Sequence, residues 1–234
     1  MTRENPSEKP LPRTITIDGP AASGKTTVGL MLSKKLGYLC LDTGIMYRAV
    51  ALDVLERGAD PQREDQVTQA AEELTIDVRD SSVADGRQFD VLINGRDRTW
   101  DIRSPEVNAC VSEVSVFPGV RQAMTAQQRK IAERGRVVML GRDVGTVVLP
   151  DADFKIYLEA SLLVRATRRY NEEKNRGNTV TFDEVLASVR HRDEIDSGRK
   201  IAPLKPAADA LIINTDDLNA EQVVDLIWEK MRDC

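Results

Sequence analysis

The spacing of apolar positions changes several times along the chain, and each change marks a different element. Residues 13–18 alternate and fill as a short strand around Ile15 and Ile17. Val28, Leu32 and Leu36, with Leu30 and Met31, recur at helical spacing and predict a helix ending at Gly37. Residues 38–42 read as a second strand, and Tyr47, Val50, Ala51, Val54 and Leu55 predict a second helix with Thr43 as a candidate cap. From Leu74 to about Thr99 the period falls to two. Leu74, Ile76 and Val78 alternate with polar residues, Asp85-Gly86 marks a turn, and Phe89, Val91 and Ile93 alternate before Asn94-Gly95. This pattern predicts a small antiparallel meander. Helices are expected over 105–115 and 118–134, strands over 136–140 and 154–158, and a helix capped by Ser161 that carries Arg165, Arg168 and Arg169. Residues 171–178 are polar and read as a mobile loop. Thr181 and Glu184 form a capping-box pattern for a helix with Arg192, Asp196 and Arg199 along one edge. A strand over 210–213 and a helix over 220–231 close the chain.

Alternating strands and helices predict an α/β fold with a parallel sheet flanked by helices and one antiparallel insert. A length of 234 residues with 41% hydrophobic content suits a single domain over 13–234, with residues 1–12 as a flexible polar tail. No stretch has the apolar core of a signal peptide or the length of a membrane span, so a cytoplasmic protein is expected. The net charge of −5 argues against nucleic acid or an anionic membrane as partner. The arginine clusters must then serve a small local anion. Cys40, Cys110 and Cys234 show no metal-ligand spacing and read as reduced thiols. His191, the single histidine, has no partner pattern and receives no role.

The candidate chemistry begins after the first strand. Gly19, Pro20, Ala21, Ala22, Ser23, Gly24, Lys25, Thr26 and Thr27 match the phosphate-binding loop. Its backbone amides curl round an anion, Lys25 adds a point charge, and Thr26 offers a hydroxyl to Mg²⁺. The loop implies nucleoside triphosphate binding, without saying what is done with it. In a parallel sheet, ligands gather beyond the strand carboxyl ends, which brings Asp42, Thr43, Arg142 and Asp143 under suspicion. Spacing alone leaves Thr43 open between cap and site. It leaves the Arg192–Asp196–Arg199 edge open between a surface salt bridge and a site. The turn Asn214-Thr215-Asp216 is a candidate border for a base. Arginines from many segments, Arg48, Arg121, Arg142, Arg165, Arg169, Arg192 and Arg199, suit phosphoryl transfer, which needs charge neutralisation and alignment more than covalent help.

Ile17-Asp18-Gly19-Pro20 through Gly24-Lys25, Leu41-Asp42-Thr43-Gly44 with Tyr47-Arg48, residues 141–148 from Gly141-Arg142-Asp143 to Val148, and Arg192-Asp193 through Ala202-Pro203-Leu204 together resemble the bacterial cytidylate kinases. The resemblance implies a P-loop nucleoside-monophosphate-kinase fold, with ATP as donor and CMP or dCMP as acceptor. It implies a nucleotide-binding insert at about 74–108 and a lid at about 165–181. It further implies that Ser112, Arg121 and Asp143 read the cytosine and that Arg192 and Asp196 contact the sugar. Thr43, Arg48, Arg142 and Arg199 would surround the acceptor phosphate. Lys25 and the arginines Arg142, Arg165, Arg169 and Arg199 would be catalytic, with Mg²⁺ at Thr26 and Asp42 and a monomeric protein. Three places depart from the family pattern: Leu140 replaces an acidic residue, Leu162-Leu163-Val164 a more acidic stretch, and Gly29 interrupts the first helix. The alternatives are a P-loop kinase for UMP, AMP or shikimate, and a GTP-binding switch. The chain lacks the Asn-Lys-x-Asp string that such a switch requires.

Overall fold

The computed structural model describes residues 10–233; most of the expected tail and Cys234 lie outside that range. Five parallel strands form the central sheet in the order β2-β6-β1-β7-β8. They are β1 (Thr14–Asp18), β2 (Leu39–Asp42), β6 (Val137–Gly141), β7 (Phe154–Glu159) and β8 (Leu211–Asn214). Strand β6 shows why its sequence is apolar without alternation: Val138 and Leu140 enter the core on one face, Val137 and Met139 the core on the other.

One face is covered by α1 (Lys25–Leu36) and α8 (Ala220–Asp233), whose Val28, Leu32, Val224 and Ile227 meet Ile15 and Ile17 of β1. Gly29 on α1 lies directly over β6. A Cβ there would fall 2.5 Å from Leu140 Cδ2, so the two departures from the family pattern fill a single space. The other face carries α2 (Gly44–Glu56), α4 (Pro105–Val114) and α5 (Pro118–Ala132).

The expected meander is present as β3 (Ile76–Asp80), β4 (Phe89–Ile93) and β5 (Arg96–Asp97), with Val78 opposite Val91 and Ile76 opposite Ile93. Asn94 and Gly95 both take positive φ, 49° and 78°, as a two-residue hairpin turn demands. Its apolar face joins the same core as α2, α4 and α5. Arg87 closes the open end of the hairpin by pairing with Asp85, Asp90 and Asp97.

Two elements differ from expectation. α3 (Glu64–Glu73) was not foreshadowed; it buries only Val67, Ala70 and Ala71 in an otherwise polar segment. α6 (Leu162–Asn175) continues through the polar stretch expected to be a mobile loop, leaving 176–181 as the connection to α7 (Phe182–Gly198). Ion pairs at helical spacing account for this: Arg169 with Glu172 and Glu173, and Arg176 with Glu172. The caps behave as read, with Ser161 accepting from Val164 N and Thr181 and Glu184 capping reciprocally.

Candidate active site

The chain leaves β1 at Asp18 and turns at Gly19, where a Cβ would lie 2.1 Å from Leu158 O; only glycine passes this close to β7. Ala22 and Gly24 then take left-handed φ of 59° and 96°, which curls the loop into a concavity at the positive end of α1. Lys25 Nζ, buried there, donates to Pro20 O at 2.6 Å and to Ser23 Oγ at 3.3 Å. Burial and the Arg142 charge push its ammonium well below the usual lysine range, against the pull of Asp42 and Asp18.

At the end of β2, Asp42 Oδ1 accepts from Gly44 N at 3.0 Å while Oδ2 accepts from Thr26 Oγ1 at 3.4 Å. Thr43 occupies the cap position of α2, but its hydroxyl donates to Leu140 O at 2.8 Å instead of capping. Asp42 supplies the acceptor that the helix start needs. The carboxyl end of β6 delivers Arg142 and Asp143 into the same space. There the chain winds one π-helical turn, Val144–Val148, whose first two amides donate to the two oxygens of Asp18 at 2.9 and 2.7 Å. Burial pushes the Asp18 carboxyl up to about 6 despite these bonds.

Asp143 Oδ2 accepts from Arg121 Nη2 at 2.6 Å, and Arg121 also donates to Ser115 O and lies over the Tyr47 ring at 5.6 Å. Arg121 Nε is buried without a partner among the described residues. Nearby, Asp196 is shared by Arg142 Nε at 2.8 Å and Arg199 Nη2 at 2.5 Å. Burial would raise Asp196, but these two guanidinium groups outweigh it and hold the carboxyl below its ordinary value. Arg192 looks into the cleft and is pushed down to about 10 by desolvation and by Arg142. Arg48 Nη1 donates to Asn108 Oδ1 at 2.5 Å and to Ile102 O at 3.3 Å. One cleft of about 830 Å³ is lined by Lys25, Thr26, Asp42, Arg48, Ser112 and Asp143 together with the arginines just named.

The profile of the cytidylate kinase family matches residues 15–233. Cytidylate kinases of Chloroflexus aggregans and Caldanaerobacter subterraneus are 49% and 46% identical, over 94% and 93% of this chain and 94% of each relative. The chain belongs to the cytidylate kinase family. An uncharacterized protein from Eubacterium ventriosum shares the fold alone, at a TM-score of 0.52 and 11% identity over 93% of this chain and 97% of its own.

The cleft of this kinase gathers Ala21, Ala22, Ser23, Gly24, Lys25, Thr26 and Thr27 of the loop; Gly19, packed against Leu158 O, and Pro20, whose carbonyl accepts from Lys25, are not in its lining. It also gathers Thr43, Arg48, Ser112, Arg121, Arg142, Asp143, Arg169, Arg192, Asp196 and Arg199. Arg165, expected beside Arg169, is not among the lining residues. Its guanidinium is buried against Asp193 Oδ1 and Oδ2 at 2.9 and 2.6 Å and against the carbonyls of Ala160 and Ala21. Arg168 takes the neighbouring place in the lining, donating to Thr215 Oγ1 at 3.0 Å. The sequence named Arg168 only as a helix residue; its spacing from Thr215 of 47 positions carries no local signal. Asp18, quoted in the Ile17-Asp18-Gly19-Pro20 run, received no role there because its partners, the amides of Val144 and Gly145, lie more than a hundred positions away. Among the described residues no group of three or more His, Cys, Asp or Glu could hold a metal, and no helix is long and apolar enough to cross a membrane.

Proposed function

We propose that this kinase transfers the γ-phosphoryl group of MgATP to the 5′-phosphate of CMP or dCMP, giving ADP and CDP or dCDP. The observation that carries this reading is the buried Arg121–Asp143 pair in the cleft that also holds the phosphate loop. Cytosine presents an exocyclic amino donor beside ring acceptors. The Asp143 carboxylate suits the donor, and the Arg121 guanidinium and the Ser112 hydroxyl, both in the cleft lining, suit the acceptors. A base lacking the amino group would leave the Asp143 oxygen not held by Arg121 desolvated and without a donor.

The loop amides and Lys25 hold the triphosphate, and binding draws Lys25 Nζ away from Pro20 O onto phosphate oxygens. Arg48, Arg142 and Arg199 hold the acceptor phosphate in line, while Arg192 and Asp196 engage the sugar. Arg169 brings further charge from α6 to the migrating group. No general base is needed, because the acceptor phosphate is already ionised at neutral pH. The oxygen donors Thr26 and Asp42, already 3.4 Å apart, fit a hard divalent cation completed by phosphate and water oxygens. Bound with ATP, Mg²⁺ neutralises charge on the phosphates. In this reading residues 74–108 form the part that encloses the monophosphate, residues 165–181 the lid, and the protein acts as a cytoplasmic monomer without nucleic acid or membrane.

The test is ADP production from MgATP with CMP, dCMP, UMP, AMP and GMP offered separately. Turnover with the cytidine nucleotides well above the others is expected. Equal or greater turnover with another acceptor would overturn the assignment.

A further inference from the structure

Arg165 is spent in a way that a phosphate-binding arginine is not. A guanidinium has five N–H donors, and four of these are engaged: Nε on Ala160 O at 2.9 Å, Nη1 on Ala21 O at 3.3 Å and Asp193 Oδ1, and Nη2 on Asp193 Oδ2. The two-pronged pair with Asp193 fixes orientation as well as distance, since both carboxylate oxygens are matched to both terminal nitrogens. Arg165 thereby joins three segments that are far apart in sequence: the phosphate loop, the start of α6 and the middle of α7.

Each end of this junction touches substrate machinery. At the loop, amides can aim inward only if carbonyls turn outward, and Arg165 holds one such carbonyl, that of Ala21, next to the left-handed Ala22. Lys25 holds the carbonyl of Pro20; once Lys25 moves to a phosphate, the side-chain braces that stay are Arg165 on Ala21 O and Thr215, whose hydroxyl donates to Ser23 O at 3.3 Å. On α7, Asp193 follows Arg192 and stands three residues before Asp196, so the two carboxylates lie one above the other on neighbouring turns. Asp196 in turn carries Arg142 and Arg199. The path runs from Ala21 through Arg165 and Asp193 to the acceptor residues of α7.

We propose that Asp193 is a positioning residue that, through Arg165, links the phosphate loop to the acceptor face of α7, so that donor and acceptor strengthen each other's binding. This rests on the ATP and CMP reading given above. Occupation of the loop fixes the Ala21 carbonyl, which fixes Arg165 and hence the register of α7. An acceptor that orders Arg192 and Asp196 returns the same advantage to the loop, because coupling between two sites is reciprocal.

The experiment is calorimetric titration of the full chain with CMP, with and without a saturating non-hydrolysable ATP analogue and Mg²⁺. Wild type is expected to bind CMP at least about fivefold more tightly when the analogue is present. Asp193→Asn should reduce that factor to below about twofold, with the affinity for each ligand alone changing less than about threefold. Asp193→Glu, which keeps a carboxylate, should recover most of the coupling. Absence of coupling in wild type, or full coupling in Asp193→Asn, would overturn the proposal. So would a proportional loss of both affinities, which is the signature of general loosening. Failure of wild type to bind CMP would count against the proposed acceptor and not against the link. The link is then read with whichever nucleotide the turnover assay selects.

Discussion

Asp143 is proposed to hold two jobs in one carboxylate: Oδ2 anchors Arg121, and the other oxygen, at a residue that lines the cleft, takes the base. Asp143→Asn keeps an acceptor for Arg121 but can offer an amide N–H where the carboxylate accepted. Its kcat/KM for CMP is expected to fall by roughly 10²–10³, with UMP gaining relative to CMP and the ATP KM little changed. Competition assays with both nucleotides would show it, and an unchanged CMP:UMP ratio would remove Asp143 from base reading. Lys25 makes a second prediction. Burial and Arg142 depress its ammonium, and phosphate oxygens will raise it, so nucleotide binding takes up protons between the depressed and the bound-state values. Affinity is therefore fully present below the depressed value and declines as pH rises from there toward the bound-state value. Titration calorimetry in buffers of different ionisation enthalpy measures the uptake, and Lys25→Met should abolish it.

Helix α1 and strand β6 meet where Gly29 leaves room for Leu140. Gly29→Ala would gain about 1 kcal/mol in helix propensity but force Leu140 aside at roughly 1–3 kcal/mol. Leu140→Ala alone leaves a cavity at roughly 2–5 kcal/mol. In urea denaturation the double variant should be less destabilised than the sum of the single ones by at least about 0.5 kcal/mol, because each change relieves the other. This contact also shows what the sequence could and could not reveal. Gly29 and Leu140 were each visible as departures from the family pattern, yet their meeting depends on how α1 packs across the sheet, which no local spacing encodes. The loop from Gly19 to Thr27 was legible because strand, glycines, Lys25 and helix are contiguous. Helix α3 was not, since Val67, Ala70 and Ala71 give too small an apolar stripe to stand out among charges. The polar end of α6 was misread for a related reason: Arg169, Glu172, Glu173 and Arg176 hold it through side-chain pairs, not through burial. Arg165 shows the same limit in the site, because its type and position suggest a phosphate ligand while its burial against Asp193 appears only in three dimensions.

The inserted hairpin and the central sheet share one core, in which Val78 and Val91 of the insert belong with Met46 of α2 and Met139 of β6. The molecule should therefore unfold as one unit. Its two tryptophans report from opposite sides, Trp100 beside the insert and Trp228 on α8. The variants Trp100→Phe and Trp228→Phe, each with one fluorophore left, should give coincident urea midpoints; separated midpoints would show that the insert folds independently. The distribution of charge has a consequence for encounter kinetics. Arg48, Arg142, Arg169, Arg192 and Arg199 converge on one cleft of a chain whose net charge is −5. A diffusing mononucleotide is repelled by the net charge of the chain but drawn to the mouth of the cleft, where the arginines concentrate the field, so its arrival there should be faster than random collision allows. Stopped-flow association of CMP should slow at least about tenfold between about 0.01 M and 1 M ionic strength, as the screening length shrinks from ~30 Å to ~3 Å. The arginines proposed to neutralise the reaction would then also select what reaches it.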